Sequence, residues 1–242
     1  MKSVVIGASA GLGRALAGRL AAAGHDLFLV ASDERDLGAV AADLRLRFGR
    51  QVFTEVLDLL HPDPQALRAS VLERLKGIDN LFYIAGQSVM DKGPRDDAEV
   101  ERLIAVNFTS GVRLVNAFLA DLARATDGNL VGAGSCASAR GRRLNSIYGA
   151  AKSGLDSYFS SMRHYLVGTS CKVQFYRLGY LTTHMTFGQK LALPALDPDA
   201  AASAMVANLG RDLGAVYLPK WWLPVMMIIR LLPWPIFKRL NI

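Results

Sequence analysis

The 242-residue chain predicts an α/β fold, a doubly wound parallel sheet with helices on both faces. Three observations predict it. Short apolar, β-branched runs alternate with segments of helical period, and a glycine-rich turn separates the first such pair. In addition, 51% hydrophobic and 20% charged residues supply a full-sized core at this length. The expected organisation is one domain over residues 1–219, followed by an apolar, basic tail over 220–242.

The elements follow in order. Ser3 to Ile6 is a β-branched run, and from Gly11 an alanine- and leucine-rich stretch continues to Ala23, with Gly24 as the glycine that ends a helix. Leu27 to Val30 is a second strand, a helix follows from about Glu34 to Phe48, and Val52 to Leu57 is a third strand. Asn80 to Ile84, Asn129 to Ala133 and Lys172 to Tyr176 are further strands with helical patterns between them. Asp197-Pro198-Asp199 reads as a helix start with an acidic cap and a proline in the first turn, and Ala215 to Leu218 is the last strand. Strands and helices alternating at these lengths form βαβ units, hence a parallel sheet.

Charge and cysteine usage exclude several function classes. The net charge is +7, but no acidic residue follows Asp212, while Lys220, Arg230, Lys238 and Arg239 stand among Trp221, Trp222, Trp234 and many aliphatics. A nucleic-acid groove would spread its cations through the body, so the tail points to an anionic lipid surface instead and no nucleic-acid partner is expected. Cys136 and Cys171 have no Cys-x-x-Cys pairing, and His25, His61, His164 and His184 are scattered, which argues against a disulfide framework, a metal site and a histidine-based triad. The short apolar run before Arg14 is not a signal peptide, and a cytoplasmic location is expected.

Two patterns carry chemistry. Gly7, Gly11 and Gly13 lie between the first strand and the first helix, where a glycine turn brings backbone and a helix N-terminus to a pyrophosphate. Tyr148 and Lys152 stand at i and i+4, on one face of a helix. A phenol titrates near pH ~10 in water, and a cation within about 4 to 6 Å favours its ionised form. Ser135 lies thirteen residues before Tyr148, just past an apolar strand, and Asn107 lies within an earlier helical pattern.

Asn107, Ser135, Tyr148 and Lys152 resemble, in order and spacing, the catalytic tetrad of conventional short-chain dehydrogenases/reductases, and with the Gly-x-x-x-Gly-Leu-Gly turn the resemblance spans about residues 3 to 218. It implies a Rossmann-type sheet and an oxidoreductase that interconverts a ketone and a secondary alcohol. By the same resemblance Tyr148 is the general acid or base, Ser135 hydrogen-bonds the reacting oxygen, Lys152 lowers the Tyr148 pKa and holds the nicotinamide ribose, and Asn107 fixes a proton-relay water. The implied cofactor wall comprises Gly7, Ser9, Gly11, Leu12 and Gly13 at the turn, Asp58 and Leu59 after the third strand, and Ala85 and Gly86 after the fourth, with Gly179, Leu181 and Thr183 after the sixth. Asp58 reads as an adenine contact or as a turn cap. Tyr83-Ile84-Ala85-Gly86 departs from the family's Asn-Asn-Ala-Gly, losing an asparagine that ties the central sheet, and Leu178-Gly179 replaces Pro-Gly.

After the second strand, Ala31 stands where a member preferring NAD(H) carries an acid, and Ser32 stands where an arginine commonly marks NADP(H). Ser32 and Arg14 can both reach a phosphate, so NADP(H) is the expected cofactor, with NAD(H) as the alternative. A non-catalytic nucleotide-binding module is the alternative function. The tail, interrupted by Pro224, Pro233 and Pro235, is too broken for a ~20-residue span and reads either as interfacial pieces on a membrane or as cover for the substrate pocket. It more weakly resembles tails of bacterial reductases of polyprenyl-linked sugars, which implies a lipophilic or lipid-linked substrate. A segment from about His184 to Leu196 is the expected substrate loop. The resemblance also implies a homodimer or homotetramer, paired through the helices that carry Asn107 and Tyr148; Val112, Val115, Leu119, Leu155, Phe159 and Met162 could supply such faces or equally be core.

Overall fold

Seven parallel strands form the sheet: β1 (Lys2–Ile6), β2 (Asp26–Ala31), β3 (Val52–Val56), β4 (Asn80–Tyr83), β5 (Asn129–Ser135), β6 (Lys172–Leu178) and β7 (Gly214–Leu218), in the spatial order β3-β2-β1-β4-β5-β6-β7. The computed structural model describes residues 1–88, 95–184, 186–188 and 191–240. The chain reverses its direction of winding between β1 and β4, and in such sheets the crevice at the C-terminal strand ends receives the ligand. Every strand parallels its neighbours, which explains why the central strands read as continuous apolar runs: both faces are covered.

Alternation along β1 shows the two layers. Val5 faces helices α1 (Gly11–Ala22), α2 (Glu34–Phe48) and α7 (Pro198–Ala207), while Val4 and Ile6 face α3 (Pro64–Leu75), α5 (Ser110–Arg124) and α6 (Ser146–Tyr165). Leu16, Leu20, Leu114, Leu155 and Phe118 are fully buried, each contributing roughly 1.5 to 3 kcal/mol by burial. Asp33 and Asp63 accept backbone N–H groups at the starts of α2 and α3, and Gly49 closes α2 in left-handed backbone. Asp197 precedes α7 as expected, but its side chain makes no capping bond; Pro198 at the first position sets the start.

Strands β5 and β6 run two residues beyond the expected ends. Gly134 pairs with Arg177 and Ser135 with Leu178, and this pairing, not local propensity, carries Ser135 in the sheet. At the opposite end of the sheet a buried polar chain ties the strands: His25 Nδ1 meets Ser3 Oγ at 2.8 Å, Asn80 Nδ2 donates to that hydroxyl at 2.9 Å, and Asn129 Nδ2 donates to Asn80 Oδ1 at 2.8 Å.

Of the two readings of the apolar helix positions, face or core, Val115, Leu155 and Phe159 take the second: they are at most 1% exposed and belong to the core against β4, β5 and β6. Val112, Leu119 and Met162 are partly buried. The helical stretch Asp97–Arg124 is long and apolar enough to cross a membrane, but Leu114, Phe118 and Leu122 on it are core residues.

The tail folds as α8 (Trp222–Leu231) and α9 (Trp234–Phe237). One side of it packs on the body: Trp222, Met226 and Phe237 are buried, and Arg140 donates to the carbonyls of Ile229 at 2.7 Å and Leu232 at 2.6 Å while stacking 3.8 Å over the Phe237 ring. The other side leaves Met227, Ile228, Leu231, Trp234 and Ile236 more than half exposed.

Candidate active site

The C-terminal ends of β1, β2, β4, β5 and β6 surround a cavity of about 700 Å³, at the large end of the range for small-ligand sites. The turn after β1 shapes one wall. A β-carbon on Gly13 would stand 1.9 Å from the Gly7 carbonyl oxygen, and one on Gly7, where φ is +95°, would stand 2.7 Å from Ala85 N, so this close crossing of the turn and the β4 end requires glycine. Helix α1 starts at Ala10 without a side-chain cap and without an acidic residue in its first turn. Ser9, Ala10, Gly11, Leu12 and Gly13 therefore bring orphan N–H groups and the positive end of a helix to the cavity, a cradle suited to a pyrophosphate. Arg14 differs from expectation: it is exposed and lies outside the cavity lining.

Ala31 and Ser32 line the cavity at the end of β2. Asp33 does not face it; its carboxylate accepts from Asp36 N at 2.8 Å and caps α2. Asp58 and Leu59 line the cavity after β3, and Asp58 Oδ1 also accepts from Leu60 N at 2.9 Å, so Asp58 caps the turn while it faces the cavity.

Three elements bring the four catalytic candidates to one place. Ser135 ends β5, and its hydroxyl accepts from Ala137 N at 3.1 Å and bonds the Tyr148 phenol. Tyr148 and Lys152 sit one turn apart on α6, the ammonium 6.0 Å from the ring centroid. Lys152 is 3% exposed and donates to the carbonyls of Ala85 and Ala133, both at 3.2 Å. Asn107 is fully buried in a π-helical turn (Ala105–Thr109) that follows α4 (Asp97–Ile104), a local widening often found at functional sites. Its Nδ2 donates to Leu103 O at 2.9 Å and Gln87 O at 2.8 Å, and its Oδ1 accepts from Gln87 N at 3.0 Å. The Asn107 amide thus holds the strand exit at Gly86 and Gln87. Tyr83 supplies a tie where the family pattern has asparagine: its hydroxyl donates to Val106 O at 2.7 Å, fastening β4 to the π turn.

Burial pushes the Tyr148 phenol above its ordinary value, although an edge of the side chain opens on the cavity; the Ser135 hydrogen bond and the Arg142 charge pull the other way. Burial also brings the Lys152 pKa down to about 8, which leaves its ammonium charged at neutral pH and held by two carbonyls.

Gly179, Leu181 and Thr183 complete the wall after β6. Thr183 N donates to Leu181 O at 3.0 Å, and a β-carbon on Gly179 would run into Trp222 of α8 at 1.8 Å. Within the expected substrate loop His184 lines the cavity, while residues 185, 189 and 190 lie outside the described residues. Residues not foreseen from sequence also line it, among them Gln87, Arg102, Arg142, Asn145 and Tyr180. The run Arg140-Gly141-Arg142-Arg143 between Ser135 and Tyr148 was the available signal for Arg142. Among the described residues, no group of three or more His, Cys, Asp or Glu side chains stands together as a metal site.

Known proteins share this arrangement. A Mycobacterium tuberculosis H37Rv protein described as an uncharacterized oxidoreductase is 30% identical over 98% of this chain and 96% of its own, and a Streptomyces coelicolor protein of the same description is 30% identical over 99% and 95%. Among solved structures, an alcohol dehydrogenase from Thermococcus sibiricus complexed with 5-hydroxy-NADP superposes with a TM-score of 0.79 at 27% identity, covering 89% of this chain and 94% of that one. A putative short-chain alcohol dehydrogenase from Sinorhizobium meliloti matches the fold with a TM-score of 0.82 at 22% identity, covering 92% and 96%. The sequence profile described as short chain dehydrogenase matches residues 2–192, which take in the glycine turn and the Asn107, Ser135, Tyr148 and Lys152 positions alike. With fold, motif order and full-length relatives in agreement, the chain belongs to the short-chain dehydrogenase/reductase family of oxidoreductases.

Proposed function

We propose that the protein interconverts a ketone and a secondary alcohol with NADP(H), on a lipophilic substrate reached from the inner face of the cytoplasmic membrane. The observation that carries the reading is the convergence of the Ser135 hydroxyl, the Tyr148 phenol and the buried Lys152 on the cavity that the glycine turn also lines. A nicotinamide cofactor supplies a hydride when bound. Gly7, Gly11, Gly13 and the uncapped start of α1 hold its pyrophosphate, Ser32, Asp58 and Leu59 flank the adenosine end, and Gly86, Gly179, Leu181 and Thr183 flank the nicotinamide end.

In the reducing direction Ser135 donates a hydrogen bond to the carbonyl oxygen and Tyr148 delivers the proton that this oxygen gains; in the oxidising direction Tyr148 accepts it. Lys152 orients the nicotinamide ribose and stabilises the phenolate left behind. Asn107, fixed to Gln87, keeps the neighbouring backbone in place to receive a relay water.

NADP(H) is favoured over NAD(H) by Ala31, which offers no acid to a ribose 2′-hydroxyl, and by Asp33, whose carboxylate is engaged as a helix cap. The Thermococcus sibiricus protein was crystallised with a modified NADP, which agrees with this choice. The exposed apolar residues of α8 and α9, with Lys220, Arg230, Lys238 and Arg239 exposed in the same tail and no acid among them, support peripheral attachment to anionic lipid. At ten residues α8 is too short to span a bilayer core of ~30 Å. A family-typical homodimer or homotetramer remains part of the proposal, now without Val115, Leu155 and Phe159 in its contacts. The test is titration of NADPH and NADH followed by turnover of a ketone panel; tighter NADH binding, or no cofactor binding, overturns the reading.

A further inference from the structure

Four buried side-chain polar atoms among the described residues lack a hydrogen-bond partner, and three of them surround Ser135 and Tyr148: Arg142 Nε, Asn145 Oδ1 and Trp222 Nε1. Buried donors and acceptors are normally satisfied, so a cluster of orphans beside reactive hydroxyls points to a ligand. We propose that Arg142 holds an oxyanion, a carboxylate or a phosphate, carried by the substrate close to its reacting carbonyl; Trp222 Nε1 is not a donor to it, because it faces the backbone of Gly179. The inference rests on the oxidoreductase reading for the word substrate, and on the Arg142 guanidinium without an ion pair in the cavity wall for the anion.

The local fold shows why Arg142 is free for this. Two residues earlier, Arg140 is consumed by the tail, bonded to the α8 carbonyls and stacked on Phe237. Arg142 points elsewhere. It lines the main cavity and also a narrow cleft of about 70 Å³ that runs from Ser135 to Trp222, Met226, Ile229 and Phe237. No ion pair among the described residues includes it. Arg102 and Lys152 add positive charge at this end, and Asp58, the one carboxylate in the described lining, sits at the adenosine end. Asn145, in left-handed backbone at φ +60° immediately before α6, adds an amide whose carbonyl seeks a donor, as a hydroxyl near the anion would provide. The guanidinium is a charged donor without acceptor capacity, so the complementary group is an oxyanion and not a cation. The apolar cleft beyond it accommodates a short hydrocarbon portion of the same molecule.

Two readouts test the inference separately from the reaction. Calorimetric binding of octanoate, octyl phosphate and octanol to the full chain with NADPH present reads the anion site alone. Wild type should bind one or both anions and R142Q should lose about 10- to 100-fold in affinity, as expected for a hydrogen bond to a charged group, with partial recovery in R142K and no change in R143Q at the exposed neighbour. The relative response to octanoate and octyl phosphate tells carboxylate from phosphate. In parallel, kcat/KM is compared for 4-oxononanoate and its methyl ester. Preference for the acid in wild type and its disappearance in R142Q, through KM, supports the site; failure of the ketones alone overturns the oxidoreductase reading and leaves the binding result standing. Equal binding of octanol and the anions, or undiminished anion binding in R142Q, overturns the inference.

Discussion

A β-carbon added to Gly86 would stand 2.9 Å from the ammonium nitrogen of Lys152, with Asn107 Oδ1 at 3.1 Å on its other side. The strand exit is thus clamped between two members of the tetrad, and glycine is what keeps both in reach. Gly86→Ala should leave the fold in place, at a cost of about 1 kcal/mol, because the clash is with the far end of a flexible side chain. Turnover should fall by ~10²-fold, since displacing Lys152 undoes the positioning of Tyr148 and cofactor. Thermal unfolding and kcat on the same preparation check the pair of outcomes.

The buried Lys152 makes stability depend on pH in a direction that can be worked out. Its pKa is brought down to about 8 in the folded chain against 10.5 in the open one. The unfolded state therefore binds more protons between these values, the penalty is fully present below pH 8, and stability gains as pH rises toward 10.5. Relative to Lys152→Met, the wild type should gain roughly 2 kcal/mol between pH 7.5 and 9.5. Denaturant titrations of both proteins across that window measure it, and a constant gap would show that Lys152 is not desolvated.

Much of this was legible in the sequence, and the parts that were not have physical reasons. The glycine turn, the strand-helix alternation and the Ser135, Tyr148 and Lys152 spacing are local patterns, so they survive reading in one dimension. The final residues of β5 and β6 escaped because Gly134 and Ser135 are strand residues through pairing with Arg177 and Leu178. Val115, Leu155 and Phe159 have the spacing of an exposed apolar stripe and of a core stripe alike, and the second layer of the fold decides in favour of the core. The tail offered two readings, membrane or cover; one side does pack on the body, and the other is exposed.

The proposed preference for NADP(H) can be tested at the β2 exit. Asp33→Ala should destabilise the protein by about 1 kcal/mol through loss of the α2 cap while leaving the NADP(H) preference unchanged. Ala31→Asp should move preference toward NAD(H) by about tenfold or more, the new carboxylate accepting from the 2′-hydroxyl and repelling a 2′-phosphate. Parallel titration of the two cofactors against each variant tests this.

Membrane attachment is best tested without removing the tail, because Trp222 and Phe237 are built into the wall of the substrate cleft. Replacing exposed Leu231, Trp234 and Ile236 with serine should release the protein from anionic vesicles while folding and cofactor binding persist. Salt should loosen the wild type only in part, since each basic residue adds ~1 kcal/mol that is screened within a Debye length and the aromatic contribution is not. Equal flotation of wild type and triple variant would refute attachment through this side.

The most direct measurement follows the hydride and the proton together. With NADPH deuterated at the transferring position and the ketone panel as substrate, mass spectrometry of the product should find deuterium at the carbinol carbon, and Tyr148→Phe should lower its appearance by ~10² to 10⁴ while NADPH binding is retained. Absence of carbinol deuterium from every product, or a Tyr148→Phe protein that turns over within about threefold of wild type, would contradict the assignment of this site to carbonyl reduction.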